Sequence, residues 1–279
     1  MKLITWNVQW CRGVDQKVDP ARVIATAVRL ADFDVLCLQE IADNYPDPLL
    51  AGSEGEDQFA LLASLLPGFT AVPGVAVDQI SDEGPRRRFG NMILSRLPVK
   101  QAYRHLLPYP ADHGVPSMPR VAVEAVVEAP FGDVRVITTH LEYYSVKKRS
   151  AQVEGLRAIY AEGFGYANNP RIATVDEGPY QALPRPAATI ITGDFNLEPD
   201  DPCTRGCRRR SPTAPRRWPM RGRSHRRELL IRRPFAFTRK PSPAIRNFTA
   251  ISSSSAKICG RGCDRSMSIR RRRFPTTSR

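Results

Sequence analysis

The sequence predicts a mixed-sheet α/β fold, and three observations point to it. Residues 120–142, RVAVEAVVEAPFGDVRVITTHLE, alternate apolar and polar positions on both sides of Pro130-Phe131-Gly132-Asp133, the pattern of an antiparallel hairpin. Other strand-like runs are separated by segments with helical spacing, and together with the hairpin this favours a mixed sheet over a purely parallel one. Periodicity stops after Pro202, which confines the predicted domain to residues 1–202.

The elements follow in order. KLITWNVQW opens the chain with β-branched and aromatic residues and reads as a strand. In VDPARVIATAVRLADFD, Asp19 is the predicted helix N-cap and Pro20 the first helical residue, and Val23, Ile24, Ala27, Val28 and Leu30 fall at helical spacing. DVLCLQE is a buried strand that ends on a charge, and DQFALLASLLPGF is a helix closed by Pro-Gly. FGNMILSRLPV is a further strand, the hairpin follows, SAQVEGLRAIYAEGF is a third helix, and ATIITGDFN is the last strand with a clear pattern.

Charge divides the chain at the same place. The whole carries +14, but residues 203–279 hold 23 of the 42 Lys+Arg and two of the 28 acids, a balance of +21 against −7 for residues 1–202. The segment 203–279 is rich in Arg, Pro and Ser, with RRR at 208–210, SSSS at 252–255 and RRRR at 270–273, and it is expected to be a disordered basic tail. No run of about 18 apolar residues exists, so no membrane span is expected. Nor does the N-terminus have a signal-peptide core; the expected location is the cytoplasm, and the expected state a monomer without an obligate partner.

Several strands end in groups suited to metal and phosphate: Asn7 after LITW, Glu40 after VLCLQ, His140 after VITT, and Asp194 with Asn196 after TIITG. Singly, each has an ordinary reading as a turn former, a capping acid or a packed histidine. Together, TWNVQW, LQEI, FGNMILSRLPV, TTHLEYY and GDFNLEP resemble, in order, the motifs of the endonuclease/exonuclease/phosphatase superfamily of DNase I-like phosphoesterases. The resemblance covers residues 1–202. It implies a two-sheet DNase I-like sandwich with outer helices, and metal-dependent hydrolysis of a phosphoester substrate, with nucleic acid among the candidates.

A slow-reacting phosphate anion requires charge neutralisation and an aimed water. Under the resemblance, Glu40 with the Asn7 amide oxygen holds Mg²⁺, or Mn²⁺ in its place. Asp194 orients the water, Asn196 holds a phosphate oxygen or the neighbouring acid, and His140 donates to the phosphate. Arg120 offers a forked contact to phosphate, with a surface ion pair as the competing reading. Tyr143 and Tyr144 either line the cleft or pack inside. The basic runs at 86–88 and 147–149 either guide an anion or lie in solvated loops.

The resemblance also implies a late Asp-Phe-Ile-Phe strand and a Ser-Asp-His. After residue 200 the acids are Asp201, Glu228 and Asp264, and the histidine is His225, so neither motif is present. Each codon can be re-read from its third base. Residues 250–258, Ala-Ile-Ser-Ser-Ser-Ser-Ala-Lys-Ile, then permit Asp-Phe-Ile-Phe-Ile-Ser-Glu-Asp, and residues 274–279 permit Ser-Asp-His-Gln-Pro. One shared frame can yield both missing motifs, which leads to the expectation of one lost base near codon 202, a C-terminally incomplete domain with its last strands missing or replaced, and impaired activity. A four-thiolate zinc site at Cys203, Cys207, Cys259 and Cys263, and a non-catalytic polyanion-binding role for the tail, are the competing readings.

Overall fold

The structure is a computed structural model, and residues 1–80, 84–170 and 178–197 are described here. Eight strands and three α-helices account for them: β1 (Leu3–Asn7), α1 (Pro20–Leu30), β2 (Val35–Asp43), α2 (Gln58–Ser64), β3 (Thr70–Gln79), β4 (Arg87–Ser95), β5 (Val99–Leu106), β6 (Val121–Ala129), β7 (Gly132–His140), α3 (Val146–Asn168) and β8 (Thr189–Asp194). The strands form two four-stranded sheets, in the orders β1-β2-β4-β3 and β5-β6-β7-β8. Each sheet mixes directions: β1 runs parallel to β2 and β7 parallel to β8, while the other pairs are antiparallel.

Period-2 side-chain alternation gives each sheet two apolar faces. Val35, Cys37, Val72 and Ile93 of the first sheet meet Val121, Val123, Ala125, Val134, Val136 and Ile190 of the second, and this seam is the middle of the sandwich. On the outer face of the first sheet, Leu36, Leu38, Met92 and Leu94 pack under Val23, Ile24 and Ala27 of α1 and Phe59 and Leu62 of α2. Outside the second, Ala122 and Ile137 pack under Val153, Leu156 and Ile159 of α3. The two-sheet α/β sandwich with outer helices is the architecture expected from the sequence.

Local chemistry sets the element ends. Asp19 caps α1, its carboxylate accepting from Arg22 N–H at 2.9 Å, with Pro20 as the first helical residue. Ser145 caps α3 by accepting from Lys148 N–H. The hairpin turns tightly, Ala129 pairing with Gly132.

Three details differ from the sequence reading. β3, which contains Pro73, was not anticipated; it is an edge strand, where a missing N–H is tolerated. The run FGNMILSRLPV is not one strand but the end of β4, a bend at Arg96-Leu97-Pro98 and the start of β5. α2 stops at Ser64 instead of reaching Pro67. No helix among the described residues is long and apolar enough to cross a membrane. The boundary at 202, the expected loss of the last strands, the cysteine pairs at 203–263 and the arginine runs all lie outside the described residues.

Candidate active site

In both parallel pairs the site residues stand side by side. β1 ends at Asn7, registered with Gln39 and therefore beside Glu40; β7 ends at His140, registered with Asp194 at the end of β8. Packing of the sheets brings these two edges together, and the Gln39 side chain spans the seam to donate to Thr138 Oγ1 at 2.8 Å.

The backbone leaves regular geometry where the site residues stand. Glu40 lies in a bulge, between the registered residues Gln39 and Ile41, with φ 62°. A bulge re-aims the side chain out of strand alternation, and here it turns Glu40 toward Asn7. Directly after Asn7 and Val8, the residues Gln9, Trp10 and Cys11 all have positive φ, and Trp10 N–H donates to the Glu40 carbonyl at 2.8 Å. Gly193 has φ 139°, and a Cβ there would overlap the Thr139 carbonyl oxygen of the neighbouring strand. Glycine is required at that position, which explains the first residue of GDFN.

The side chains converge around Asn7, which is buried. Its Nδ2 donates to Glu40 Oε1 at 2.7 Å and to Asp194 Oδ2 at 3.0 Å, joining one carboxylate from each sheet. Its Oδ1 accepts from Gln9 N–H at 3.0 Å, so the amide presents its NH₂, and not its oxygen, to the acids. The His140 ring stands between the same carboxylates, Nδ1 3.8 Å from Glu40 Oε1 and Nε2 4.0 Å from Asp194 Oδ2. Asn196, with φ 47°, donates its N–H to Asp194 Oδ1 at 3.1 Å, and its side-chain NH₂ to the Leu141 carbonyl at 2.8 Å.

Arg120 immediately precedes β6 and is 6% exposed. Its Nε is 3.7 Å from Glu142 Oε2, and its charge reaches Glu40, Asp194 and His140. The surface ion pair considered for it is excluded by this burial.

Electrostatics follow from crowding at low exposure. Burial raises the Glu40 pKa; the hydrogen bond from Asn7 lowers it, the Asp194 charge raises it, and Arg120 lowers it. His140 is pushed well below the usual histidine range by burial first and by Arg120 second, and the pull of Asp194 does not overcome them. The imidazole is therefore neutral near pH 7 and keeps one N–H to donate. Among the described residues no group of three or more His, Cys, Asp and Glu is arranged as a metal site. The donor set is instead two adjacent carboxylates whose repulsion Asn7 only partly relieves, and two hard oxygen donors fit Mg²⁺, which keeps most of its waters.

Sequence reasoning missed Glu142, fully buried in the THLE motif, although its position two residues after a predicted strand-end histidine was a usable signal. The basic runs serve internal contacts. Arg86 pairs with Asp78, and Arg88 with Asp43 and Asp57. Lys147 donates to the Ala111 carbonyl, and Arg149 donates to the carbonyls of Glu142 and Tyr143. Tyr143 and Tyr144 are not core residues: they are 46% and 60% exposed and meet edge-to-face at 4.9 Å.

A family model described as endonuclease/exonuclease/phosphatase matches residues 4–243. The chain belongs to the endonuclease/exonuclease/phosphatase family. Among solved structures, an endonuclease/exonuclease/phosphatase from Beutenbergia cavernae is 26% identical with TM-score 0.50, the match covering 72% of this chain and 50% of that one. This chain thus spans half the length of that family relative. A family protein from Bacteroides vulgatus is 16% identical with TM-score 0.49, covering 74% of this chain and 69% of its own. A mannosyl-6-phosphatase from Bacteroides thetaiotaomicron is 17% identical with TM-score 0.46, covering 73% and 68%. A search of curated proteins matched none.

Proposed function

We propose that the family domain formed by residues 1–202 hydrolyses a phosphoester with Mg²⁺, Mn²⁺ serving in its place. The observation that carries this reading is the meeting of Asn7, His140 and Asp194 from three strand ends with Glu40 from the bulge of β2, across two sheets. Glu40, with Asp194 beside it, would hold the ion, which when bound supplies positive charge against the phosphate oxygens.

The remaining work falls to the chain's own groups. Asn7 fixes the separation of the two acids through its NH₂. Asp194, held by Asn7 and by Asn196 N–H, orients the attacking water and accepts its proton. Neutral His140 donates its N–H to a phosphate oxygen, and buried Arg120 supplies standing positive charge on the same side. Asn196 acts on Asp194 through its backbone while its side chain ties the loop to Leu141. A cytoplasmic monomer belongs to the same reading.

We also infer that residues after about 202 are read out of frame, and that the family's late aspartate and histidine are lost with them. Loss of one acid–base group costs about 10²–10⁴ in rate, so this exact chain turns over slowly. The test is hydrolysis of a generic phosphodiester and a phosphomonoester with Mg²⁺. Weak turnover abolished by Asp194→Ala is expected from this chain. Turnover that Asp194→Ala leaves unchanged, or none with either ester after the frame is restored, would overturn the proposal.

A further inference from the structure

Glu142 is fully buried, yet its contacts leave one carboxylate oxygen for a neighbour. Its own backbone is pinned on both sides: N–H donates to Gln152 Oε1 at 2.8 Å, and the carbonyl accepts from Arg149 Nη1 at 3.0 Å. Oε1 accepts from Tyr143 N–H at 2.9 Å and Tyr144 N–H at 3.0 Å. Oε2 makes no hydrogen bond and is 3.7 Å from Arg120 Nε. On Arg120, itself buried, Nε and Nη1 make no hydrogen bond either. A buried guanidinium normally has its donors satisfied, so two silent ones beside two carboxylates and a histidine mark a group held by charge instead of by hydrogen bonds, with Glu142 the foremost of its counter-charges.

We propose that Glu142 is a positioning residue: a fixed counter-charge that holds the buried Arg120 guanidinium where its positive charge acts on the substrate phosphate. This rests on the phosphoesterase reading. Of the three acids near Arg120, Glu40 and Asp194 are committed to the ion and the water, so Glu142 alone keeps its charge for the arginine throughout turnover. The rigid backbone around Glu142 matters here, since a counter-ion on a mobile side chain would let Arg120 collapse onto Glu40 or Asp194. The same carboxylate links the site to the surface, because Oε1 also sets the backbone that carries the exposed Tyr143–Tyr144 pair.

Glu142→Gln separates the charge from the shape, since its amide oxygen still accepts from the two tyrosine N–H groups while its NH₂ then faces the guanidinium. Calorimetric titration with inorganic phosphate in Mg²⁺ is run on the wild-type chain, Glu142→Gln, Arg120→Ala and the double variant, alongside phosphodiester turnover. Glu142→Gln and Arg120→Ala should each weaken phosphate binding about tenfold, roughly the worth of one charge-assisted contact, with the double variant no weaker than Arg120→Ala alone. Unchanged affinity in Glu142→Gln, effects that simply add, or no phosphate binding by the wild type would each overturn the proposal. Should Glu142→Gln fail to fold, Glu142→Asp replaces it: the charge is kept but withdrawn from Arg120 by one methylene, so affinity should fall in the same direction, and an unchanged affinity refutes the role. If the binding cycle behaves as expected while no ester is hydrolysed even by the frame-restored chain, the phosphoesterase reading fails and the positioning role stands.

Discussion

Glu124 shows how far single residues on β6 depart from their ordinary chemistry. Burial alone would raise its pKa, but hydrogen bonds from His105 and Arg135, joined by Arg185, hold it down at about 2. Arg135 is fully buried beside it, with Nε 2.7 Å from Glu124 Oε1, and Arg185 Nε reaches the same oxygen at 3.4 Å while packing over the Tyr103 ring. A carboxylate with a depressed pKa stabilises the fold above its unfolded value of about 4.5 and loses that contribution as pH falls toward 2. The contribution is on the order of 3 kcal/mol. Urea unfolding at pH 7 and pH 3 should show this loss, with a smaller pH dependence in Glu124→Gln; equal dependence in both proteins would contradict the assignment. None of this was legible in the sequence, where Glu124 and Arg135 read as the polar positions of an alternating hairpin. Their burial depends on α3 lying over the outer face of the sheet, a tertiary fact.

At the scale of elements, strand identity was largely legible and strand endings were not. β1, β2, β6, β7 and β8 were readable because burial imposes period-2 or continuous apolar runs on them. The bulge at Glu40 was not, since an extra residue inside VLCLQEI leaves the apolar pattern intact. Asn7 was placed correctly at a strand end, but which end of its amide faces the acids depends on Gln9 N–H, a contact made by the following left-handed turn. Gly193 is the element-level feature most open to experiment. Its conformation and the closeness of the Thr139 carbonyl leave no room for a side chain, one residue before Asp194. Gly193→Ala should separate the ends of β7 and β8, destabilising the protein by at least about 1 kcal/mol and lowering turnover more than Phe195→Leu does. A variant with unchanged urea midpoint and unchanged turnover would show that the strand ends tolerate displacement.

For the whole molecule, two mixed sheets pressed face to face gather acids from separate strands at one edge. The family's motifs were recognisable from the sequence because their polar residues follow or interrupt apolar strand runs, and the family match bears the recognition out. Glu142 escaped notice because its contribution depends on Arg120, 22 positions earlier, and on packing that no local pattern records. The reading of residues 203–279 as out of frame rests on the charge step from −7 to +21 and on the two motifs that one alternative frame permits. Sequencing the gene across codons 198–206 would reveal the missing base, and an unbroken frame would end that part of the proposal.

The most direct test of the site is phosphodiester hydrolysis by the frame-restored chain as a function of Mg²⁺ concentration, for the wild type and for Glu40→Gln. Saturable Mg²⁺ dependence, with Glu40→Gln reducing the rate by about 10²-fold or more and shifting half-saturation to higher Mg²⁺, is the predicted result. Hydrolysis that is indifferent to Mg²⁺, or a Glu40→Gln variant matching the wild type across the titration, would contradict the account.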